Sequence, residues 1–223
     1  MDKRGLNFIV STLKDKYSYN FTWMGRPIIQ LPQDIIAIQE LIWRIKPDYV
    51  IETGVAHGGG LVMYASILEC IGGGQVLGID IDPREHNVKA LEKHPLEHRI
   101  SVMKGDSIDP RIIDTVKDWA WRDCPRIIVI LDSLHTHNHV LQELHLYAPM
   151  VSVGSYIIVM DTIIEYLPAD SFPDRPWDIG NNPATAVKKF LQSPEGKDFE
   201  IDQSIDDRLL ISSAPQGYLR RIR

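Results

Sequence analysis

A polar segment rich in acidic and histidine residues follows an apolar stretch in the middle of the chain. Its letters are DSLHTHNH at 132–139, and a second carboxylate, Asp161, ends the next apolar stretch. Because Mg²⁺ prefers oxygen ligands, Asp132 and Asp161 are candidate cation ligands if their strands are neighbours. The alternative is that Asp132 only caps a helix. A structural zinc site is disfavoured, because His135 and His137 are two positions apart and no cysteine joins them.

The segment 52–60, with the letters ETGVAHGGG, has the residue types of a cofactor-binding turn. It follows an apolar stretch and opens a helix, which is where open parallel sheets bind ligands. Gly54 and Gly58 allow close backbone approach, since glycine has no Cβ. A dinucleotide-binding turn needs glycine where this chain has Ala56. The Glu52 carboxylate would repel phosphate but suits an ammonium and a nearby sulfonium group, which favours S-adenosylmethionine over NAD.

Acidic residues also follow the next two predicted strands. Asp80 could accept hydrogen bonds from both ribose hydroxyls, and such bonds to a charged group contribute about 1.5–3 kcal/mol each. Asp106 and Ser107 follow the third strand, where a carboxylate or hydroxyl could contact adenine. Taken alone, each could be a capping or turn residue. The candidate cofactor-binding residues are Glu52, Gly54, His57, Gly58, Asp80, Asp106, Ser107 and Asp132.

These side chains lie close together only if the strands before them end at the same edge of one sheet. The hydrophobic pattern predicts such a sheet. Short apolar stretches alternate with amphipathic ones, which is typical of βαβ units and a parallel sheet covered on both faces. We therefore predict an α/β fold with a doubly wound, mainly parallel sheet. The predicted strands are 49–51, 76–79, 100–103, 126–131 and 155–160, with a closing antiparallel pair at 199–201 and 209–211; the predicted helices are 61–70, 85–93, 108–121, 139–147 and 184–191.

The chain is predicted to consist of one large domain with two additions. Residues 1–47 form an N-terminal arm and a capping helix that opens at Pro32, and 48–223 form the cofactor-binding catalytic domain. A proline-rich stretch at 165–183 interrupts the alternation, and loops of this length are often lids or binding loops. An ordered surface excursion is the alternative. If the segment 165–183 is a binding loop, the residues in it that are candidates to contact the methyl acceptor are Arg175, Trp177 and Asp178.

Composition narrows the class of partner. The 24 Lys and Arg against 30 Asp and Glu give a net charge of −6, which disfavours non-specific nucleic-acid binding. No apolar run approaches the roughly 18 residues of a membrane span, so we predict a cytoplasmic protein. Cys70 and Cys124 fit a reducing compartment and are predicted to be buried, inert thiols. The aromatic arm favours a homo-oligomer.

Four motifs, taken in order, resemble the cephalosporin hydroxylase-type family of class I S-adenosylmethionine-dependent O-methyltransferases, which includes sugar O-methyltransferases. They are YNFTWMG at 19–25, ETGVAHGG at 52–59, DSLH at 132–135 with HV at 139–140, and GYLRR at 217–221. The resemblance runs over nearly the whole chain. It implies a Rossmann-like fold, S-adenosylmethionine as cofactor, and a hydroxyl of a sugar or other polyhydroxylated small molecule as methyl acceptor.

The resemblance also implies residue roles. The family holds a metal, here Mg²⁺, with an Asp after the fourth strand and an acidic pair after the fifth; Asp132 and Asp161 match, but Met160 stands where the family has Glu. In related metal-dependent enzymes the residue three after the first Asp is the general base, and here it is His135. We expect His135 to deprotonate the acceptor hydroxyl, made more acidic by the cation beside Asp132.

Other functions remain compatible with this fold. An NAD(P)-dependent oxidoreductase or epimerase is disfavoured by Ala56, by Glu52 and by the absence of a Tyr-x-x-x-Lys spacing. A hydroxylase would need two histidines and a carboxylate, which His135, His137 and Asp161 could supply. A non-catalytic binding subunit is the third alternative.

Overall fold

A layer of helices and a short hairpin precedes the main sheet. The computed structural model describes residues 3–120 and 124–223, so that Met1 and Asp2, where the predicted arm begins, lie outside the described residues. A helical turn at Tyr17–Asn20 connects the first helix to the hairpin. The elements are α1 (Lys3–Thr12), β1 (Phe21–Trp23), β2 (Arg26–Ile28) and α2 (Pro32–Ile45).

Strands and helices then alternate as the pattern predicts. The sheet order is β5-β4-β3-β6-β7-β9-β8; its neighbours from β5 to β7 are parallel, and β9 is antiparallel to both β7 and β8. The predicted doubly wound, mainly parallel sheet is confirmed. The elements are β3 (Tyr49–Thr53), α3 (Gly59–Ile71), β4 (Gln75–Asp80), α4 (Glu85–Glu92), β5 (Ile100–Lys104), α5 (Pro110–Ala120), β6 (Ile127–Leu131), α6 (His137–Tyr147), β7 (Tyr156–Val159), α7 (Pro183–Phe190), β8 (Phe199–Ile201), α8 (Gln203–Arg208) and β9 (Tyr218–Arg221). Trp121, the predicted end of α5, lies outside the described residues.

The sheet is buried on both faces, which explains its continuous apolar strands. All five residues of β6 are buried. One face packs against α2 and α3, and the other packs against α5, α6 and α7. This arrangement leaves the carboxyl ends of the parallel strands as the edge where polar side chains collect.

The fully buried Asp34 connects α2 to the end of the chain. Its carboxylate accepts hydrogen bonds from the Ser212 hydroxyl at 2.6 Å, the Tyr218 hydroxyl at 2.8 Å and the Ser213 N–H at 2.7 Å. The Ser213 hydroxyl donates a further bond at 3.0 Å. Four donors therefore satisfy a carboxylate that would otherwise be costly to bury.

The predicted closing strand pair is wrong. The strand β8 pairs with β9, with Phe199 opposite Arg221, while residues 209–211 follow α8 and form no strand. The basic segment of β9 is a strand because Tyr218 and Leu219 are both fully buried between β7 and β8. The arginines of β9 interrupt the apolar pattern that would predict a strand, and Arg220 is exposed at the surface.

The prediction of buried cysteines is also wrong. Both Cys70 and Cys124 are exposed. Cys70 lies in the last turn of α3, where the apolar neighbours in sequence face the core and the cysteine faces solvent. Cys124 has a positive φ of 53° and lies before β6 at an exposed position, outside the apolar strand that follows.

The aromatic arm packs on the chain itself. The Phe8 and Tyr17 rings lie 5.2 Å apart, and the Trp23 indole donates to the Ser66 hydroxyl of α3 at 3.0 Å. The division at 47/48, the lid role of 165–183 and the homo-oligomer stay predictions. In the part of the chain that the structure describes, no helix has both the length and the apolar character needed to cross a bilayer.

Candidate active site

The loops after β3 and β6 are pressed together at the sheet edge. The Asp132 N–H donates to the Thr53 carbonyl at 2.9 Å. Gly54 has a φ of +86°, and a Cβ added to it would lie 2.0 Å from the Asp132 carbonyl oxygen. Only glycine fits here. Gly54 therefore serves first to let the backbone of Asp132 approach.

Three candidate metal-binding side chains meet at this edge. One ligand atom each from Asp132, His135 and Asp161 lies within 4.8 Å of the others, and the His135 Nε2 is 3.2 Å from Asp161 Oδ2. Met160 is only 2% exposed and belongs to the core, so it adds no ligand. His137 points elsewhere, with its Nδ1 2.8 Å from the Thr185 hydroxyl. The cluster thus has two carboxylates and one histidine, which does not match the arrangement of two histidines that the hydroxylase alternative requires.

The Asp132 carboxylate lacks a protein hydrogen-bond donor within the described residues. Burial raises the pKa of Asp132 well above its usual range, and the charges of Asp161 and Glu52 raise it further. Among residues 3–120 and 124–223, no group donates a hydrogen bond to the Asp132 carboxylate. A cation would relieve this repulsion, and the two carboxylates fit a divalent ion that completes its shell with water and substrate oxygen, with the imidazole of His135 beside it.

Glu52 lies beneath the glycine turn. Its Oε1 accepts a hydrogen bond from the Tyr64 hydroxyl at 2.6 Å. Burial raises the pKa of Glu52 to about 8, against the lowering effect of the Tyr64 bond, and Asp80 adds to the rise. A Cβ on Gly60 would lie 2.8 Å from that same Oε1, so the third glycine of the run makes room for the carboxylate.

Asp80 and Asp106 hold the backbone of their loops. The two oxygens of Asp80 accept the N–H groups of Val55 and Asp82, each at 2.9 Å. Asp106 accepts the Ile108 N–H at 3.2 Å. Both carboxylates are half-buried at the edge, so part of each remains accessible. Because each carboxylate oxygen has two lone pairs, Asp80 retains acceptor capacity for a ligand.

Arg26 and Asn87 fix the rest of the glycine turn, and neither is among the residues predicted from the sequence. The Arg26 guanidinium donates twice to the His57 carbonyl, at 2.6 and 3.0 Å, and to Asn87 Oδ1 at 2.8 Å. The Asn87 amide donates to the Ala56 carbonyl at 2.9 Å. Gly58 packs on α4, where an added Cβ would lie 2.8 Å from Leu91. The one signal in the sequence for the role of Arg26 is its position directly after the YNFTWMG motif at 19–25.

Ser107 is turned inward. It is 5% exposed, and its hydroxyl donates to the buried Glu143 at 2.7 Å. The loop that carries Ser107 still lies at the carboxyl end of β5, beside Asp106. Glu143 is a further polar residue that local sequence patterns did not identify.

The segment 165–183 carries an aromatic residue to the cluster. The Trp177 ring lies 4.8 Å from the His135 ring at 87°, and the Arg175 guanidinium is 5.3 Å from the Trp177 centroid. Glu165 accepts hydrogen bonds from the Gly180 N–H and the Asn182 amide, which ties the two ends of the segment together. Asp178 accepts the Asp170 N–H at 3.1 Å and so bonds within its own segment.

A sequence model of the rhamnosyl O-methyltransferase/CmcI family matches residues 15–222. The chain belongs to this family. A relative, the rhamnosyl O-methyltransferase of Mycobacterium tuberculosis strain H37Rv, is 30% identical over 206 residues, which cover 90% of this chain and 78% of that protein. The match confirms the family predicted from the sequence, and this protein is an O-methyltransferase.

Solved structures agree in fold. The apo structure of CmcI is similar with a TM-score of 0.62 and 19% identity, covering 92% of this chain and 77% of that chain. A CmcI structure with Mg and SAM gives a TM-score of 0.59 at 19% identity and covers 92% and 78% of the two chains. At such identities the likeness concerns the fold, and it confirms the class I methyltransferase architecture of this family member.

Proposed function

We propose that this protein transfers a methyl group from S-adenosylmethionine to a hydroxyl of a sugar or a related polyhydroxylated natural product, assisted by Mg²⁺. The observation that carries the proposal is the cluster of Asp132, His135 and Asp161 at the carboxyl edge of the sheet, where the neighbouring carboxylates raise the pKa of Asp132. The rhamnosyl O-methyltransferase relative supports a sugar acceptor. The CmcI structure with Mg and SAM supports the two cofactors.

The cofactor would supply a methyl group on a sulfonium, which carries a positive charge. Glu52, Asp80 and Asp132 are neighbouring carboxyl groups whose negative forms repel one another, and a cationic ligand beside them would favour those charged forms. The accessible side of Asp80 accepts ribose hydroxyls. The proposed cofactor residues are Glu52, Gly54, His57, Gly58, Asp80, Asp106, Ser107 and Asp132.

His135 is the proposed general base. A divalent cation held by Asp132 and Asp161 would make a nearby hydroxyl more acidic. Asp161 lies 3.2 Å from the His135 Nε2, and the edge-to-face contact with Trp177 fixes the imidazole ring. On this proposal His135 takes the hydroxyl proton, a step that contributes about 10² to 10⁴ in rate.

Trp177 and Arg175 form the proposed acceptor wall. An indole offers an apolar face for the C–H groups of a sugar ring, and a guanidinium offers donors for its hydroxyls. Both lie on the segment that reaches His135. The exact sugar, the cytoplasmic location and the homo-oligomer stay predictions.

The test is methyl transfer from labelled S-adenosylmethionine to a rhamnosyl glycoside with Mg²⁺. We expect transfer that chelator abolishes and added Mg²⁺ restores. His135→Gln should lower kcat about 10²- to 10⁴-fold, because the proposed general base is lost. His137→Gln is the matched control, since His137 contacts Thr185 instead. Binding of NAD without binding of S-adenosylmethionine would refute the proposal.

A further inference from the structure

Two loops of the site are joined at one buried oxygen atom. The hydroxyls of Ser107 and Ser133 each donate to the Oε1 of Glu143, both at 2.7 Å. Ser107 follows Asp106 in the loop after β5, and Ser133 directly follows Asp132. The proposed cofactor loop and the proposed cation loop therefore meet at a single atom of α6.

Burial of the Glu143 carboxylate at this position lowers the stability of the fold. The carboxylate is fully buried, and its second oxygen, Oε2, receives no hydrogen bond from the residues that the structure describes. A buried carboxylate with an unpaired oxygen costs stability, so packing alone does not explain it. The acidic side chain is better explained by what its other oxygen holds.

His139 supplies compensating charge at the same junction. Its Nε2 lies 3.5 Å from Glu143 Oε1 and 3.1 Å from the Ser107 hydroxyl. Burial acts to lower the pKa of His139, but the hydrogen bond and charge of Glu143 outweigh it and raise that pKa above its ordinary value. The Tyr147 hydroxyl, also on α6, donates to the Ser107 carbonyl at 2.9 Å. One face of α6 thus holds the Ser107 loop at several points.

We propose that Glu143 is a positioning residue that couples cofactor binding to cation binding; this rests on the proposed function. A cofactor that orders the Ser107 loop also fixes Glu143 Oε1, and through it Ser133 and the adjoining Asp132. Because such coupling is reciprocal, the cation tightens cofactor binding by the same factor.

The test is calorimetry with S-adenosylhomocysteine and Mn²⁺ as probes. In the wild-type protein, saturating S-adenosylhomocysteine should tighten Mn²⁺ binding about tenfold, within the usual range of such couplings. Glu143→Ala should still bind each probe but reduce the coupling to less than twofold. Glu143→Gln should restore most of it, since the amide oxygen can accept both serine hydroxyls.

Further variants keep the test decisive. Gln142→Ala, on the exposed side of α6, should retain full coupling. Should Glu143→Ala fail to fold, Ser133→Ala removes one arm of the junction and should lower the coupling alone. Tenfold coupling in Glu143→Ala, or in Ser133→Ala, would overturn the inference, as would a wild-type protein that binds both probes independently. No binding of S-adenosylhomocysteine to the wild-type protein would instead contradict the proposed function.

Discussion

Asp34 and Asp132 are both acidic residues set into the protein, and their surroundings are opposite in kind. Burial raises the pKa of Asp34, but its hydrogen bonds from Ser212, Ser213 and Tyr218 all act to lower it again. Around Asp132, burial is followed by the negative charges of other carboxylates, which raise the pKa further. One carboxylate is satisfied by the chain, and the other is surrounded by like charge.

The difference separates structural charge from functional charge. A buried carboxylate with a full set of donors stabilises the fold that supplies them. A carboxylate set beside others without donors is destabilising in the absence of a ligand, and active sites commonly hold such groups. The contrast between Asp34 and Asp132 therefore predicts opposite responses to removal of the charge.

The largest expected effect concerns Asp132→Asn. Loss of one cation ligand should lower kcat/KM for methyl transfer about 10³-fold, since the ion contributes several kcal/mol to the transition state. The Tm without added ligand should not fall, because a neutral amide removes repulsion with Asp161. Kinetics and a thermal melt measure the two effects. Wild-type activity at saturating Mg²⁺ would show that Asp132 holds no cation.

Asp34→Ala should lower the stability of the protein and leave its catalytic rate nearly unchanged, the opposite of Asp132→Asn. Loss of the Asp34 carboxylate leaves the donors of Ser212, Ser213 and Tyr218 without an acceptor, which should lower the free energy of unfolding by about 3 kcal/mol. Urea denaturation measures this, and kcat of the folded fraction should change less than about threefold. Asp114→Ala, at an exposed position of α5, is the control. A stability loss no larger than that of the control would remove the distinction from Asp132.

The smallest effect, taken per pH unit, is the pH dependence that Glu52 confers on the free energy of unfolding. The pKa of Glu52 is about 8 in the folded protein, against an ordinary value of 4.5, so between these pH values the folded state keeps a proton that the unfolded chain has released. The free energy of unfolding should therefore fall as pH rises through this window, by up to about 1.4 kcal/mol per unit. Glu52→Gln should lack this contribution in urea titrations without ligands. An unchanged slope would mean that Glu52 ionises normally.

The hydrophobic pattern of the sequence predicted the elements whose position depends on their own burial. The strands and helices through β7 agree within a few residues, because burial on both faces makes each strand a continuous apolar stretch. The strand β9 was not predicted, because its sequence is basic and its place in the sheet depends on pairing with β7 and β8. Asp132, His135 and Asp161 could be proposed because parallel strands end at one edge. Arg26 and Glu143 could not, because they act through contacts with residues distant in the sequence.

The close approach at Gly54 has a consequence for how this site can diversify. A missing Cβ lets the glycine turn and the loop of Asp132 touch through their backbones, so their separation does not depend on any side chain that lines the acceptor pocket. On the proposed function, the distance between methyl donor and receiving oxygen is then a constant of the scaffold. Trp177 and Arg175 lie on a separate segment, so acceptor preference can change there without resetting the transfer distance.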